Sequence, residues 1–319
     1  MRSSQRRFLL LALLIVQPWG WSACTWADDV TRENRTDLWS TPVIQATHLR
    51  HQRFYSDTAQ AEVSFHIFTP HLYGTQAQRR FPVLYWLHGR SGVPKQLNKF
   101  AEYFDHAIRK REIPPMLVVF PSGAPETMWV NSKDGTTSME TIVIKELIPH
   151  IDAHYRTIAA QRGRIIEGFS MGGYGAARLG FNYPELFAAI SILGAGPLQK
   201  SFTDFGSSGM AQVRKRTMTR IYGDDQEFFM RNSPWVIAEK NVDAIRSNAP
   251  VIRIAIGEQD RMLETNRAFA KHLDRLNIPH DLMILPEVGH NTRELIKALG
   301  PSNWAFYRSV LAPKRQGFR

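Results

Sequence analysis

The sequence predicts an α/β fold: a mostly parallel sheet with helices on both faces. Three observations carry that reading. Short apolar runs of strand length alternate with longer runs of helical periodicity from about residue 81 onward. Several of these short runs are continuously apolar rather than alternating, as strands buried on both faces are. Finally, Gly168-Phe169-Ser170-Met171-Gly172 stands where a strand-like run gives way to a helix-like one, the strand–turn–helix setting of a nucleophile elbow.

Residues 43–49 and 62–69 alternate apolar and polar side chains and predict edge strands. Phe81 to Leu87 predicts a buried strand, and Gln96 to Arg111 a helix. Met116 to Phe120 predicts a further buried strand, stopped by Pro121. Ser138 to His154 is an amphipathic helix. Arg164 to Phe169 is the strand entering the elbow, and Met171 to Phe181 the helix leaving it. Ala188 to Leu193 is the next strand.

Residues 197–248 are the least regular part. They hold Arg214-Lys215-Arg216 with Arg220, then Tyr222-Gly223-Asp224-Asp225 and Ser233-Pro234-Trp235. An excursion of this length predicts either a cap over a pocket or a structural insertion of a few helices. Val251 to Ile256 is then a strand, Glu264 to Leu276 a helix and His280 to Leu285 the last strand, with a terminal helix from about Asn291. Sites in such sheets lie beyond the carboxyl ends of the strands.

The 319 residues, 43% hydrophobic and 22% charged, suffice for one large α/β domain. Residues 1–27 read as a secretory signal peptide: three arginines, an unbroken apolar run from Phe8 to Val16, and Thr25-Trp26-Ala27 before Asp28. The alternative is an uncleaved anchor. Residues 28–319 then form a single exported domain, periplasmic or extracellular, with no membrane span after processing. The sole cysteine is Cys24, so cleavage after Ala27 leaves no disulfide or thiol chemistry. Lipidation at Cys24 is a lesser alternative. The formal charge of +11 falls to +8 without residues 1–27. The basic residues are spread out and form no nucleic-acid motif, so no nucleic-acid partner is expected. There is no H-E-x-x-H, no paired cysteine, no calcium-loop spacing and no nucleotide-binding glycine pattern. No metal or other cofactor is expected.

A serine hydroxyl is a weak nucleophile and needs a base, which in turn needs an acid to orient it. Ser170 is the candidate nucleophile. His290 follows the last strand and is the candidate base; the histidines on strands, helices and early loops read as structural. Asp260, in Gly257-Glu258-Gln259-Asp260 directly after a buried strand, is the candidate acid, with Glu258, Asp224 and Asp225 as rivals. The Met171 N–H and the Arg90 N–H, in His88-Gly89-Arg90-Ser91-Gly92, are the candidate oxyanion-hole donors. His88 reads as a loop-orienting residue or a substrate contact, and Trp129 as a second candidate substrate contact. Glu167, beside the elbow, reads as a paired structural carboxylate with no functional account.

With these residues the chain resembles the esterase family of α/β-hydrolases that includes esterase D, tributyrin and feruloyl esterases, and bacterial mycolyltransferases. The resemblance rests on Trp86-Leu87-His88-Gly89, Trp129 with Asp134-Gly135, Glu140-Thr141 with Glu146 to Pro149, the extended run Gly168 to Ala176, Gly257 with Asp260, and Gly289-His290. It implies the α/β-hydrolase fold, Ser170, Asp260 and His290 as a triad, Arg90 and Met171 as the oxyanion hole, and no cofactor. Arg90 departs from a usually apolar position and could set a cation at the pocket mouth. The expectation is an exported serine hydrolase of a small-molecule or carbohydrate-linked ester. Acyl transfer to a sugar hydroxyl and non-catalytic binding in the envelope are the alternatives. The oligomeric state is not legible.

Overall fold

The computed structural model describes residues 38–93, 96–196, 198 and 209–312. The predicted signal peptide, Cys24 and the first part of the 197–248 excursion lie outside the described residues, apart from residue 198.

Eight strands form one sheet in the order β1-β2-β4-β3-β5-β6-β7-β8. β1 (Leu49–Ser56), β2 (Ala61–Phe68) and β4 (Leu117–Pro121) pair antiparallel. From β4 onward the pairs are parallel, through β3 (Val83–Leu87), β5 (Arg164–Phe169), β6 (Ala189–Leu193), β7 (Val251–Gly257) and β8 (Asp281–Leu285). This is the expected mostly parallel sheet. β3 shows why its sequence is continuously apolar: Val83, Tyr85 and Leu87 enter the core on one face, Leu84 and Trp86 the core on the other. Helices Leu97–Arg109 and Thr292–Leu311 supply Leu97, Phe104, Leu295 and Tyr307 to the second core; helix Met171–Asn182 supplies Tyr174 and Leu179 to the first.

Two expectations need correction. The first edge strand is not 43–49 but Leu49–Ser56. His48 takes φ 66° and the chain turns there, with Ala46 bridging back to Leu49. The true strand, Leu-Arg-His-Gln-Arg-Phe-Tyr-Ser, hides from a hydrophobic reading because it lies at the sheet's edge and much of it, including Tyr55, faces solvent. The helix over 138–154 is also not uniform. Ile142–Leu147 is π-helical between α-helical Met139–Thr141 and Ile148–His154. Pro149 lies in the first turn of the last segment and has no N–H to give the carbonyl four residues back.

The excursion folds, where described, into helices Gly209–Tyr222, Gln226–Arg231, Pro234–Lys240 and Val242–Asn248. Its later part is packed structure. Tyr174 of the elbow helix donates to the Asn232 carbonyl at 3.1 Å, and Trp235 is buried and donates to the Leu198 carbonyl at 2.9 Å. The first helix instead reaches toward the loops above the sheet through Arg216.

Candidate active site

The elbow forms because glycine stands on both sides of Ser170. A Cβ on Gly168 would lie 2.3 Å from the Gly172 carbonyl oxygen, and one on Gly172 only 1.9 Å from the Leu87 carbonyl oxygen at the end of β3. No other residue permits that approach. Ser170 itself takes φ 60° and ψ −119°, a strained conformation that ends β5 and starts the helix within one residue. The turn is held by Ser170 N–H donating to the Leu193 carbonyl at 2.9 Å and Gly196 N–H to the Ser170 carbonyl at 3.2 Å.

The loops after β7 and β8 bring the other two side chains to this point. His290 Nε2 lies 2.9 Å from Ser170 Oγ, and His290 Nδ1 lies 2.7 Å from Asp260 Oδ2. The ring leans on Phe169 with centroids 4.8 Å apart. Asn291 fixes the loop from the far side, since its Oδ1 accepts from the N–H groups of Arg293 and Glu294 and caps the last helix. The Asp260 carboxylate is wholly buried, and its second oxygen accepts from Met262 N–H at 2.9 Å. The rivals are occupied elsewhere. Asp225 caps helix Gln226–Arg231 and pairs with Lys133 at 2.7 Å, Asp224 accepts from Thr219 at 2.9 Å, and Glu258 is exposed beside the Glu287 N–H.

Arg90 stands one residue beyond Gly89, whose Cβ position is 3.5 Å from Ser170 Cβ. Met171 opens the helix behind the serine, where N–H groups lack intrahelical partners. Neither N–H donates to an acceptor among the described residues. The dipole of the 171–182 helix sets partial positive charge at its Met171 end, next to Ser170.

His88 and Trp129, the two candidate substrate contacts, are buried. They are 2% and 0% exposed and lie beneath the loop. His88 Nε2 accepts from Gly123 N–H at 2.9 Å, so Nδ1 carries the proton and donates to the Gly89 carbonyl at 2.7 Å. Burial lowers its pKa to about 4 and keeps it neutral. Trp129 Nε1 donates to the His88 carbonyl at 3.2 Å. The pair holds the loop that carries Arg90.

Glu167 is the paired carboxylate that the sequence suggested. It is 2% exposed, accepts from Arg253 Nη2 at 2.8 Å, and accepts from the Tyr307 hydroxyl at 2.9 Å and 3.0 Å. Arg253 was missed, though a signal existed: one cation inside the apolar run of β7 facing one anion inside β5. Glu126 was also missed, and nothing in the sequence marks it. It accepts from Arg90 and from Arg216 of the basic cluster Arg214-Lys215-Arg216. Among the described residues, no group of three or more His, Cys, Asp or Glu side chains could hold a metal ion. No described helix is long and apolar enough to cross a membrane.

The profile of the family described as Putative esterase matches residues 56–308. Esterase Rv1288 of Mycobacterium tuberculosis is 32% identical over 158 residues, which is 48% of this chain and 34% of that protein. An endo-1,4-beta-xylanase/feruloyl esterase of Xylanibacter ruminicola is 29% identical over 162 residues, 48% of this chain and 22% of that protein. The matches thus span about a third or less of these relatives' own length. Among solved structures, a ferulic acid esterase superposes with a TM-score of 0.69 at 20% identity, covering 82% of this chain and 98% of its own. That likeness establishes the α/β-hydrolase fold.

Proposed function

The chain belongs to the Putative esterase family of α/β-hydrolases, and from that membership and the site's geometry we propose that it hydrolyses carboxylic esters through a Ser170–His290–Asp260 triad. The observation that carries this reading is the unbroken line from Ser170 Oγ through His290 to Asp260, at 2.9 Å and 2.7 Å.

Ser170 Oγ attacks the ester carbonyl while His290 Nε2 takes its proton. Asp260 keeps the other proton on Nδ1 and balances the imidazolium. The N–H groups of Met171 and Arg90 hold the oxyanion. His290 then protonates the departing alcohol, leaving an acyl-enzyme. A water molecule, deprotonated by His290, releases the acid and restores the serine.

The substrate is a small-molecule or carbohydrate-linked ester. An ester of an aromatic acid is a first choice to assay, since the Xylanibacter relative is named in part as a feruloyl esterase and two structural neighbours were solved with ferulic acid and with sinapinate. The arginine-led apolar run of residues 1–27 supports an exported location, and the first helix of the 197–248 excursion is the part that would cap the pocket.

The test is 4-nitrophenyl ester hydrolysis across acyl lengths, together with a feruloyl ester, for wild type and Ser170→Ala. The variant is expected to lose roughly a thousandfold or more in kcat. Unchanged turnover would sink the mechanism.

A further inference from the structure

Glu126 carries two guanidinium groups. Arg216 donates from Nε at 2.8 Å and from Nη2 at 2.5 Å, and Arg90 donates from Nη1 at 3.2 Å. Neither arginine has another carboxylate partner among the described residues. The carboxylate is half-buried and fixed, the two cations half-exposed. Glu126 holds φ 64° in a segment where Ala124, Met128 and Trp129 also take positive φ, and that segment is tied to His88 through Gly123. Its carboxyl is kept below the usual carboxylate range, first by the Arg216 hydrogen bonds. One anion is therefore shared by two cations, with guanidinium donors left over.

The loop that carries Arg90 lies beside the proposed nucleophile. Arg90 is the residue after Gly89, which packs on Ser170. In the sheet, β3 lies on one side of β5, while β7 and β8, whose loops bring Asp260 and His290, lie on the other. The leaving alcohol must face His290 to be protonated, so the acyl part of an ester points away from it, toward the Arg90 loop.

We propose that Arg90 and Arg216, held together by Glu126, form an anion-recognition subsite for the acyl side, and that the preferred substrates are esters whose acyl chain ends in a carboxylate. This rests on the ester-hydrolase reading above and names the substrate class for that site. A solvent-facing ion pair is weak, so a substrate carboxylate can take up the spare donors, or one arginine's share of Glu126, at little cost. Arg90 stands where the resembled family is usually apolar, which makes the subsite a property of this chain.

The experiment compares mono-4-nitrophenyl adipate with 4-nitrophenyl hexanoate, matched in length but not in charge. Wild type is expected to show kcat/KM about tenfold higher for the adipate, equivalent to about 1.4 kcal/mol. Arg216→Gln should remove most of that preference, and salt at about 0.5 M should shrink it in wild type by screening. A second arm places the charge on the alcohol, comparing the butyrate ester of 4-hydroxybenzoate with phenyl butyrate. A third arm uses Lys297→Gln, because Lys297 lines a separate groove of about 940 Å³ beside His290. Equal rates on adipate and hexanoate, a preference confined to the alcohol arm, or a preference removed by Lys297→Gln instead of Arg216→Gln would each overturn the subsite while leaving the hydrolase intact. No turnover of any ester and no labelling of Ser170 by a fluorophosphonate would overturn the hydrolase reading and this inference with it.

Discussion

Arg253 donates to Glu167 across 2.8 Å with both side chains 2% exposed. The pair spans three strands in one row of the sheet, since Glu167 of β5 registers with Ser191 of β6, and Ser191 with Arg253 of β7. Ser191 Oγ accepts from the same guanidinium at 2.9 Å and 3.1 Å, Asn303 Oδ1 accepts at 2.8 Å, and Phe306 stacks beneath it at 3.9 Å. The last helical segment kinks at Gly300, and its second half, which carries Asn303, Phe306 and Tyr307, is anchored to the sheet by this buried charge.

Breaking such a pair from one side leaves an uncompensated charge in the core. Glu167→Gln or Arg253→Met alone is expected to destabilise the fold by about 3–5 kcal/mol. Replacing both with apolar residues of similar volume should cost much less, because no orphaned charge remains. Urea unfolding of the two single variants and the double variant measures this. Single variants with wild-type midpoints would show that the pair does not hold the helix.

The strands around the site could be read from the sequence because burial on both faces leaves a continuous apolar run, as in β3 and β5, and the elbow because Gly168 and Gly172 are demanded by backbone contact; their order in the sheet could not. Ser170 directly follows β5, and Asp260 and His290 lie in the loops after β7 and β8, which is why the sequence could offer the three together. β1 could not be read, since its residues face solvent at an edge. The burial of His88 and Trp129 was equally illegible. An imidazole that accepts from Gly123 N–H and one that meets substrate have the same letter. Glu126 was invisible for a related reason: two arginines distant in the chain meet it through a loop whose left-handed residues, Ala124, Met128 and Trp129, carry no glycine signature.

Acid sensitivity follows from His88 and His66. Burial lowers the pKa of each to about 4, with neighbouring His51 adding to the effect at His66. Unfolded, both titrate near about 6.5. Above that pH neither state is protonated and stability is complete. As pH falls toward about 4 the unfolded chain takes up protons that the fold refuses, and stability drops by about 1.4 kcal/mol per pH unit for each histidine. Urea midpoints from pH 8 down to 4 should therefore fall on the acid side, and His66→Gln, which can still accept from Ile44 N–H, should flatten part of the slope. A stability flat to about pH 4 in wild type would contradict the buried neutral imidazoles.

Asp260→Asn tests the orienting carboxylate without removing its volume. Asp260 Oδ1 already accepts from Met262 N–H, and Oδ2 faces His290 Nδ1. An asparagine that keeps its oxygen on Met262 must turn its NH2 toward Nδ1. That places the imidazole proton on Nε2, pointing at Ser170 Oγ, where it cannot take the serine proton. The reverse flip sets NH2 against Met262 N–H in a buried position, at a cost of about 1–3 kcal/mol. The first arrangement therefore prevails, and kcat should fall by about 10³ to 10⁴, with KM changed only a few-fold and the urea midpoint near that of wild type. Steady-state kinetics beside an unfolding curve separates this from simple misfolding. A folded variant retaining kcat within about tenfold of wild type would mean that His290 is oriented by Phe169 and Asn291 alone, and that Asp260 serves only to brace its own loop.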